Sequence, residues 1–508
     1  MMNKRLLFVF PDISQRSLHK GYFHYGLAHI SSYLKQKVKG VEISLLRVYD
    51  KEQCQADLSD RIVMFQPGII AFTSTSHSFP IVQKMVNFVK EIDSNILTVC
   101  GGVHVNIDPE EALLSSELDV VICGDGEYPM EALVNSWTEY GRIPDDRGLM
   151  YRKGNGVVGN GYAMVEDLDS LPDPDWEIFD YMNLGEGSQG IGGLMLSRGC
   201  PYQCSYCCNH KIADLYKGNG SAYTRFKSVE KSISEIKNFT TKFPEIHTLY
   251  FDDDILPLKK QWFVDFATRY RNEINKPYWC NIRPGLVKEE IVEAFVYSGC
   301  VRAGIGVESG NERIRNRVLN RNVSEQVLVN AVSLLKKKNI YVYSFNMVGV
   351  PTETKEDLLG TIRLNARLEI DKMQCTVFYP YKHTALYDFV IKEGLFTDEK
   401  SLIEYTQESV LNFSFAQNNR INFTVLTMNV VSKVYRVLPK YLSEIYLRLL
   451  YSSLFAVFIL PVVNILMRKA LGSKMLSVRI RKLFRAIIPP PPTAIINKQL
   501  SKNPKGME

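Results

Sequence analysis

Short apolar runs alternate with helical patterns over the first 140 residues. Four runs predict buried strands, with the sequences RLLFVF, GIIAFTS, ILTVCGG and DVVICGDGE. Between them lie stretches such as FPIVQKMVNFVKEI, whose apolar residues recur every three or four positions, as in a helix packed on one face. This order predicts a doubly wound, Rossmann-like α/β domain over residues 1–140, with ligands at the carboxyl ends of its strands.

The next 50 residues have a different pattern. Gly and other turn residues dominate GRIPDDRGLMYRKGNGVVGNG, which predicts a hairpin, and LDSLPDPDWEIFD is a connector rich in Pro and Asp. We therefore expect residues 141–190 to link two domains.

Strand and helix patterns then alternate about six times over residues 191–385. The predicted strands are GGLMLSRG, HTLYFDD, YWCNIRP, VRAGIGVES, IYVYSFNMVG and MQCTVFYP, and helical stretches such as KQWFVDFATRYRNEI separate them. Six such units predict a parallel sheet that curls into a partial (β/α)6 barrel, in which chemistry gathers on the loops at the strand ends.

Residues 386–508 form a predicted helical, basic C-terminal region. The run LLYSSLFAVFILPVVNILM, residues 449–467, has no charged residue and is just long enough to span a bilayer, although Pro461 and Asn464 weaken that interpretation. Contact with a membrane surface and a buried helical cap on the barrel are the two alternatives. The basic residues after it are not interleaved with aromatic residues in any recognisable nucleic-acid module, so no nucleic-acid partner is expected.

Composition places the chain among globular proteins, with 45% hydrophobic and 23% charged residues. The net charge of +6 hides an asymmetry, because residues 430–508 contain 14 Lys/Arg and 2 Asp/Glu, which leaves the rest of the chain acidic. Ten cysteines in 508 residues are too few for a disulfide scaffold. The first apolar run meets Pro11 and Asp12 without a cleavage site, so we expect a β-strand there rather than a signal peptide, and a cytoplasmic protein.

Four cysteines crowd into the stretch SRGCPYQCSYCCNH, residues 197–210. Cys200, Cys204 and Cys207 have the spacing C-x3-C-x2-C in a loop between a predicted strand and a helical pattern. A structural zinc site usually uses two separate pairs of ligands, and no second pair follows. A [4Fe–4S] cluster held by three thiolates keeps one iron open for a small molecule, which indicates catalysis rather than electron transfer alone. The adjacent Cys208 is expected to be a bystander.

This cysteine motif after the first strand of a six-unit barrel resembles the radical S-adenosylmethionine (SAM) superfamily. The resemblance implies that the open iron binds SAM, and that one electron cleaves SAM to methionine and a 5′-deoxyadenosyl radical that abstracts hydrogen. The motifs YFDDDILP, CNIRPG and GIGVESGNERIRNRVLNR are similar to family segments at the following strand ends. They imply a set of SAM-binding residues: Tyr206, Asp252, Asp253, Arg283 and Glu308. The segment NMVGVPTETKEDLLGTI also resembles the family, and its Thr354 and Asp357 predict a capping box with an architectural role.

The preceding domain resembles the cobalamin (B12)-binding subgroup of this superfamily. In that subgroup a small hydroxyl residue ends one strand and a Gly-Gly pair follows about 26 residues later, as Ser74 and Gly101 do here. The loops GGVHVNIDPEEAL and CGDGEYPMEAL extend the resemblance. It implies a set of cobalamin-binding residues: Thr73, Ser74, Gly101, Gly102, His104, Gly124 and Glu127. The cobalt-ligating pattern D-x-H-x-x-G is absent, so none of His19, His24 and His29 is assigned as a cobalt ligand, and a purely structural domain is the alternative.

The resemblance implies a cobalamin-dependent radical SAM enzyme that transfers a methyl group to an unactivated carbon or a phosphinate phosphorus. One SAM would remethylate the cobalt and another would supply the radical. The alternatives are a radical cyclase or oxidoreductase like the anaerobic tetrapyrrole cyclases, and a non-catalytic iron–sulfur protein. We expect a small-molecule or lipid-like substrate, and a reductant such as flavodoxin or ferredoxin. The residues that face the substrate are not identified by the sequence.

Overall fold

A computed structural model describes residues 3–13, 21–154, 156–217, 223–396 and 408–472. The chain divides into two compact units. The first comprises Met1–Tyr202, Cys207–His247 and Tyr381–Thr384, and the second comprises Gln203–Tyr206, Thr248–Pro380 and Ala385–Glu508. The predicted domain boundaries near residues 140, 190 and 385 stay predictions.

The first sheet is built by the N-terminal strands. Its strands are β1 (Arg5–Pro11), β2 (Glu42–Val48), β3 (Ile69–Thr73), β4 (Leu97–Gly101), β5 (Val120–Ile122), β6 (Leu149–Lys153) and β7 (Gly156–Gly159). They lie in the order β2-β1-β3-β4-β5-β6-β7. Pairing is parallel from β2 to β5, and the predicted hairpin β6–β7 joins antiparallel at β5. The doubly wound sheet is therefore confirmed, with β2 as an edge strand that the apolar runs did not predict.

Helices connect these strands and cover the sheet. They are α1 (Tyr25–Lys37), α2 (Cys54–Phe65), α3 (Phe79–Ile92), α4 (Val103–Ile107), α5 (Pro109–Leu114) and α6 (Glu127–Tyr140). Strand residues such as Ile70 and Phe72 pack with Val82 and Met85 of α3 in one buried apolar cluster. Full burial of one such side chain stabilises the fold by roughly 1.5–3 kcal/mol.

A second sheet contains the predicted barrel strands. They are β8 (Ile191–Leu194), β11 (Thr248–Phe251), β12 (Tyr278–Ile282), β13 (Cys300–Glu308), β14 (Tyr341–Val348) and β15 (Lys372–Val377), in that spatial order. Pairing from β11 to β15 is parallel. A separate short ribbon pairs β9 (Ser197–Arg198) with β10 (Arg225–Phe226). This is the curled sheet of a partial barrel that the six strand–helix units predicted.

The helices after residue 200 alternate with these strands and then follow one another. They are α7 (Cys208–Lys217), α8 (Val229–Lys242), α9 (Lys260–Glu273), α10 (Glu289–Ser298), α11 (Glu325–Lys337), α12 (Lys355–Arg367), α13 (Ala385–Lys392), α14 (Phe415–Val437), α15 (Lys440–Leu450) and α16 (Leu460–Gly472). The predicted capping box starts α12, because Thr354 and Asp357 each accept from the other's backbone N–H. The C-terminal region is helical, as predicted.

No single helix in the described ranges is long and apolar enough to cross a bilayer; the pair Lys440–Leu450 and Phe455–Met467 meets that test only jointly, with a 53° bend between them. The basic stretch 479–485 and the proline run 489–492 lie outside the described residues.

Candidate active site and cofactor cavity

The cysteine-rich loop lies between β9 and α7, as the sequence predicted. Cys200 and Cys207 are partly exposed, Cys204 is buried, and Cys208 is the first residue of α7. Cys208 packs against the apolar cluster of Ile107, Ile212 and Tyr216, which supports its interpretation as a bystander. All ten cysteines lie in the described residues, and none forms a disulfide.

The environment of Cys204 is cationic. Its sulfur lies 3.8 Å from Nη1 of Arg283 and 3.7 Å from Nη1 of Arg321. The two arginines are themselves linked, since Nη2 of Arg283 donates to the backbone carbonyl of Arg321. Two guanidinium groups offset the negative charge that a ligating thiolate and an iron–sulfur cluster would bring, so the chemistry of these donors fits the predicted group.

Arg321 contacts four of the predicted site residues, which are Cys204, Tyr206, Arg283 and Glu308. Its Nη1 donates to Tyr206 Oη at 3.2 Å, and its Nη2 lies 3.4 Å from Glu308 Oε1 and 3.3 Å from the Gly306 carbonyl. Burial alone lowers the pKa of Arg321, but the Glu308 carboxylate, with Tyr206 and Cys204, outweighs burial and raises it. Sequence reasoning missed this residue, which follows the π turn Ile314–Val318 and has no periodic signal of its own.

The backbone at Glu308 is unusual. Glu308 has φ of +60° at the end of β13, where the pairing with β14 shifts register between Gly306 and Glu308. A non-glycine residue in this region is strained, and such strain concentrates at functional sites. The strand end thereby points a buried carboxylate at Arg321, beside the predicted cluster ligand Cys204.

The predicted SAM residues are only partly brought together. Cys204, Tyr206, Arg283 and Glu308 share the Arg321 network. Asp252 is exposed and accepts from Tyr250 Oη at 2.7 Å, whereas the next residue, Asp253, is buried. Within the described ranges, no three His, Cys, Asp or Glu side chains converge as a metal site. The three-cysteine ligand set and the role of the two aspartates therefore stay predictions.

Gly306 gives a direct test of the Arg321–Glu308 pair. A Cβ at Gly306 would overlap Nη2 of Arg321 and Oε1 of Glu308. We expect Gly306→Ala to displace both side chains and to raise the KM for SAM by about tenfold, the scale typical for supporting residues of metal sites. The assay is 5′-deoxyadenosine formation at varied SAM. Gly285→Ala is the matched control, because its Cβ would meet nothing within 4 Å; equal KM values for the two variants would contradict the assignment.

A cavity of about 310 Å³ opens in the first unit at the carboxyl ends of its parallel strands. Six of the seven predicted cobalamin residues line it: Thr73, Ser74, Gly101, Gly102, Gly124 and Glu127. His104 is not among the lining residues, since its ring lies 4.0 Å from that of Phe79 and its Nε2 lies 3.1 Å from Glu111. The cavity occupies the place where a doubly wound sheet binds its ligand.

Gly101, the last residue of β4, and the adjacent Gly102 have different roles. Gly102 has φ of +99°, and a Cβ there would overlap the backbone of Ser74, so glycine is required by the chain itself. Gly101 has no such constraint, because a Cβ there would meet nothing within 4 Å. The open space beside Gly101 fits the close approach of a large flat ligand, which is the role expected of these glycines.

The histidines near the cavity differ in their availability. Nδ1 of His24 accepts from the Leu27 N–H at 3.1 Å, and Nε2 lies 3.3 Å from Thr73 Oγ1, so both ring nitrogens have partners. Burial lowers the pKa of His24 to about 4. Burial, reinforced by nearby lysine and arginine side chains, also lowers the pKa of His29, whose buried Nδ1 has no hydrogen-bond partner among the described residues. His19 lies outside the described residues; cobalt ligation therefore remains untested.

A buried ionic network forms one wall of the cavity. Arg198 contacts Asp125 Oδ1 at 3.1 Å and Glu127 Oε1 at 2.7 Å, and Arg225 contacts Asp125 Oδ2 at 2.5 Å. Burial opposes ionisation of Asp125, but Arg198 and Arg225 overcome it and lower its pKa. Sequence reasoning selected Glu127 and missed Asp125 and Arg198, although Arg198 stands two residues before Cys200.

Two known protein families match the parts of the chain that contain the cysteine loop and the cavity. Residues 194–364 match the radical SAM superfamily, and residues 19–134 match the B12 binding domain. The first match contains the cysteine loop and the Arg321 network, and the second contains the six cavity residues with predicted roles. The chain is a radical SAM enzyme with a B12-binding domain. A radical SAM domain uses a [4Fe–4S] cluster and SAM, and a B12-binding domain adds cobalamin, so all three predicted cofactors are confirmed at the level of the family.

Two curated relatives and one solved structure resemble this radical SAM enzyme. An uncharacterized methyltransferase of Pyrococcus horikoshii is 25% identical over 73% of this chain and 79% of its own length. An anaerobic magnesium-protoporphyrin IX monomethyl ester cyclase of Cereibacter sphaeroides is also 25% identical, over 65% of this chain but only 54% of its own length. The structure of the cobalamin-dependent SAM radical enzyme OxsB with aqua-cobalamin is 14% identical and covers 95% of this chain and 75% of its own, with a TM-score of 0.65. That likeness supports the fold.

Proposed function

We propose that this radical SAM enzyme transfers a methyl group from SAM to an unactivated carbon or phosphinate phosphorus of a small molecule. The observation that carries the proposal is the cavity at the carboxyl ends of the parallel strands, lined by six of the predicted cobalamin residues, in a chain that also has the radical SAM domain. The methyltransferase relative supports methyl transfer, since it matches over most of its length. The cyclase alternative has less support, because nearly half of that relative lies outside the match.

The chain's own residues would supply charge balance and orientation at the SAM site. Arg283 and Arg321 offset negative charge at Cys204, and the Arg321–Glu308 pair holds the strand-end carboxylate in place. The bound cofactors would supply the electron that cleaves SAM and the cobalt that carries the methyl group. At the cavity, the Arg198–Glu127 pair would fix the wall, and apolar residues such as Phe8, Ile122 and Met130 would exclude water from the corrin.

The proposal includes a one-electron reductant, such as flavodoxin or ferredoxin, and a reducing compartment. The partly exposed Cys200 and Cys207 are ligands only as reduced thiolates, and an oxidising compartment would favour their oxidation. Cytoplasmic location is therefore part of the proposal.

Product analysis separates the three candidate functions. The full chain is reconstituted anaerobically with iron, sulfide and hydroxocobalamin, reduced with titanium citrate, and given SAM. Methyl transfer to cobalt leaves S-adenosylhomocysteine, and radical formation leaves 5′-deoxyadenosine, so we expect both products. 5′-Deoxyadenosine without cobalamin-dependent S-adenosylhomocysteine would favour the cyclase alternative. The absence of both would leave the non-catalytic iron–sulfur protein.

A further inference from the structure

The outward side of the last helices is apolar. In α15, Tyr441, Ile445 and Leu449 recur every four residues and are exposed, while Ser443 and Leu447 on the opposite side are buried. The pattern continues through the π turn Phe455–Ile459 and α16. We call the exposed set the apolar C-terminal face: Tyr441, Leu442, Ile445, Leu449, Leu454, Val457, Phe458, Ile459, Val462, Ile465 and Leu466. This is the reverse of a soluble surface helix, whose apolar stripe faces the core.

The opposite side of these helices is anchored to the second unit. Asn464 Nδ2 donates to the Asn419 carbonyl on α14 at 3.2 Å, and Tyr451 Oη lies 3.0 Å from Thr424 Oγ1. The fixed inner side leaves the apolar C-terminal face pointing outward. An exposed apolar surface of this kind marks a site for a partner or a membrane, whereas single exposed apolar residues occur on most protein surfaces.

The charges near the apolar C-terminal face favour a lipid surface as its binding partner. Glu444 is the only acidic residue between positions 441 and 467. It is turned to Arg363 of α12, 2.8 Å away, and to Tyr435. Arg448 is exposed beside the face. From residue 468 to the C-terminus the sequence contains ten Lys/Arg and one acidic residue. An apolar surface with an exposed arginine beside it, followed in the sequence by a basic segment, matches the acyl and headgroup layers of an anionic bilayer.

We propose that the apolar C-terminal face docks this enzyme on the surface of a membrane that contains anionic lipid. The face enters the interface without spanning it, and the exposed Arg448 beside it adds electrostatic attraction. This inference goes beyond the proposed methyl transfer and does not depend on it, because the face belongs to α15, the π turn and α16 and contains none of the proposed cofactor residues.

Vesicle flotation of the reconstituted full chain tests the docking. We expect binding to vesicles of phosphatidylcholine and phosphatidylglycerol in equal amounts, and weaker binding to phosphatidylcholine alone. Ile445→Ser with Phe458→Ser should reduce binding by about tenfold, since the apolar area that enters the interface sets the affinity. The matched control is Val63→Ser with Met64→Ser, which removes two side chains of equal or greater exposure on α2. The control should bind like the unaltered chain.

A second variant keeps the test independent of folding. Phe458→Trp preserves an exposed aromatic group, and its emission should be quenched when vesicles with brominated acyl chains are added. Formation of 5′-deoxyadenosine, measured in parallel without lipid, should be unchanged in every variant, so failure of docking and failure of the proposed reaction are distinguishable. Absence of vesicle binding, equal binding by the Ile445/Phe458 variant, or no added quenching would overturn the proposal. A lipid-independent dimer that the Ile445/Phe458 variant abolishes would overturn it as well and assign the face to a second copy.

Discussion

Replacement of Cys204 by Ala is expected to abolish both the visible absorbance of the iron–sulfur cluster and the formation of 5′-deoxyadenosine. The substitution removes one of three predicted ligands, and a cluster with two thiolates would not keep the geometry that leaves a single iron open. In the unaltered protein Arg283 and Arg321 each lie within 4 Å of the Cys204 sulfur. After the substitution both guanidinium groups would face an alanine methyl group instead. Anaerobic ultraviolet–visible spectra and product chromatography measure the two losses.

Cys208→Ala is the matched control for this prediction. Cys208 belongs to the same loop–helix junction, but it begins α7 and packs against an apolar cluster. Its replacement should keep the cluster absorbance and the product. If Cys204→Ala retains 5′-deoxyadenosine, or Cys208→Ala loses the cluster, the ligand assignment is wrong.

The second large effect is expected at Gly101 in the B12-binding domain. Gly101→Leu should block cobalamin retention, because Gly101 lines the cavity and a side chain there would extend into space that is open for at least 4 Å. The fold should tolerate the change, since the added Cβ would meet no atom of the described residues within 4 Å. Corrin absorbance after gel filtration should fall by at least about tenfold, as expected when a cofactor pocket is filled. Cobalamin-dependent S-adenosylhomocysteine should be lost with it.

Radical formation provides the internal check on Gly101→Leu. The cluster loop is untouched, so the variant should still release 5′-deoxyadenosine. Gly156→Leu is the control, because Gly156 is exposed at the start of β7 and a Cβ there also meets nothing within 4 Å. Normal cobalamin retention by Gly101→Leu would show that the cavity is not the corrin site.

The parts of the fold that the sequence predicted are those with a local signal. β1, β3, β4 and β5 are near-continuous apolar runs because both faces of a covered parallel sheet are buried. β2 was missed because it is a partly exposed edge strand that contains Glu42 and Arg47 and lacks such a run. The capping box of α12 was found because its two partners stand three residues apart.

The missed residues of the site depend on contacts distant in sequence. Arg321 meets Cys204 across 117 positions, and Arg225 meets Asp125 across 100. No spacing rule links such pairs, so the cysteine spacing and the family resemblance predicted roles for the cysteines, Glu308 and the cavity glycines but not for the charged residues that contact them. The aspartates at the end of β11 show a further limit, because adjacent carboxylates differ in burial according to where the chain turns.

Arg198 links the cavity wall to the predicted cluster loop through the covalent chain. It holds the carboxylates of Asp125 and Glu127 in the cavity wall, yet only one residue separates it from Cys200. Oxidative loss of the cluster that loosens this loop would therefore release a guanidinium group from two buried anions, a kind of change that typically costs about 3–5 kcal/mol. Exposure to oxygen would then weaken corrin retention and speed amide hydrogen exchange at the start of α6, although no atom of the B12 pocket had reacted.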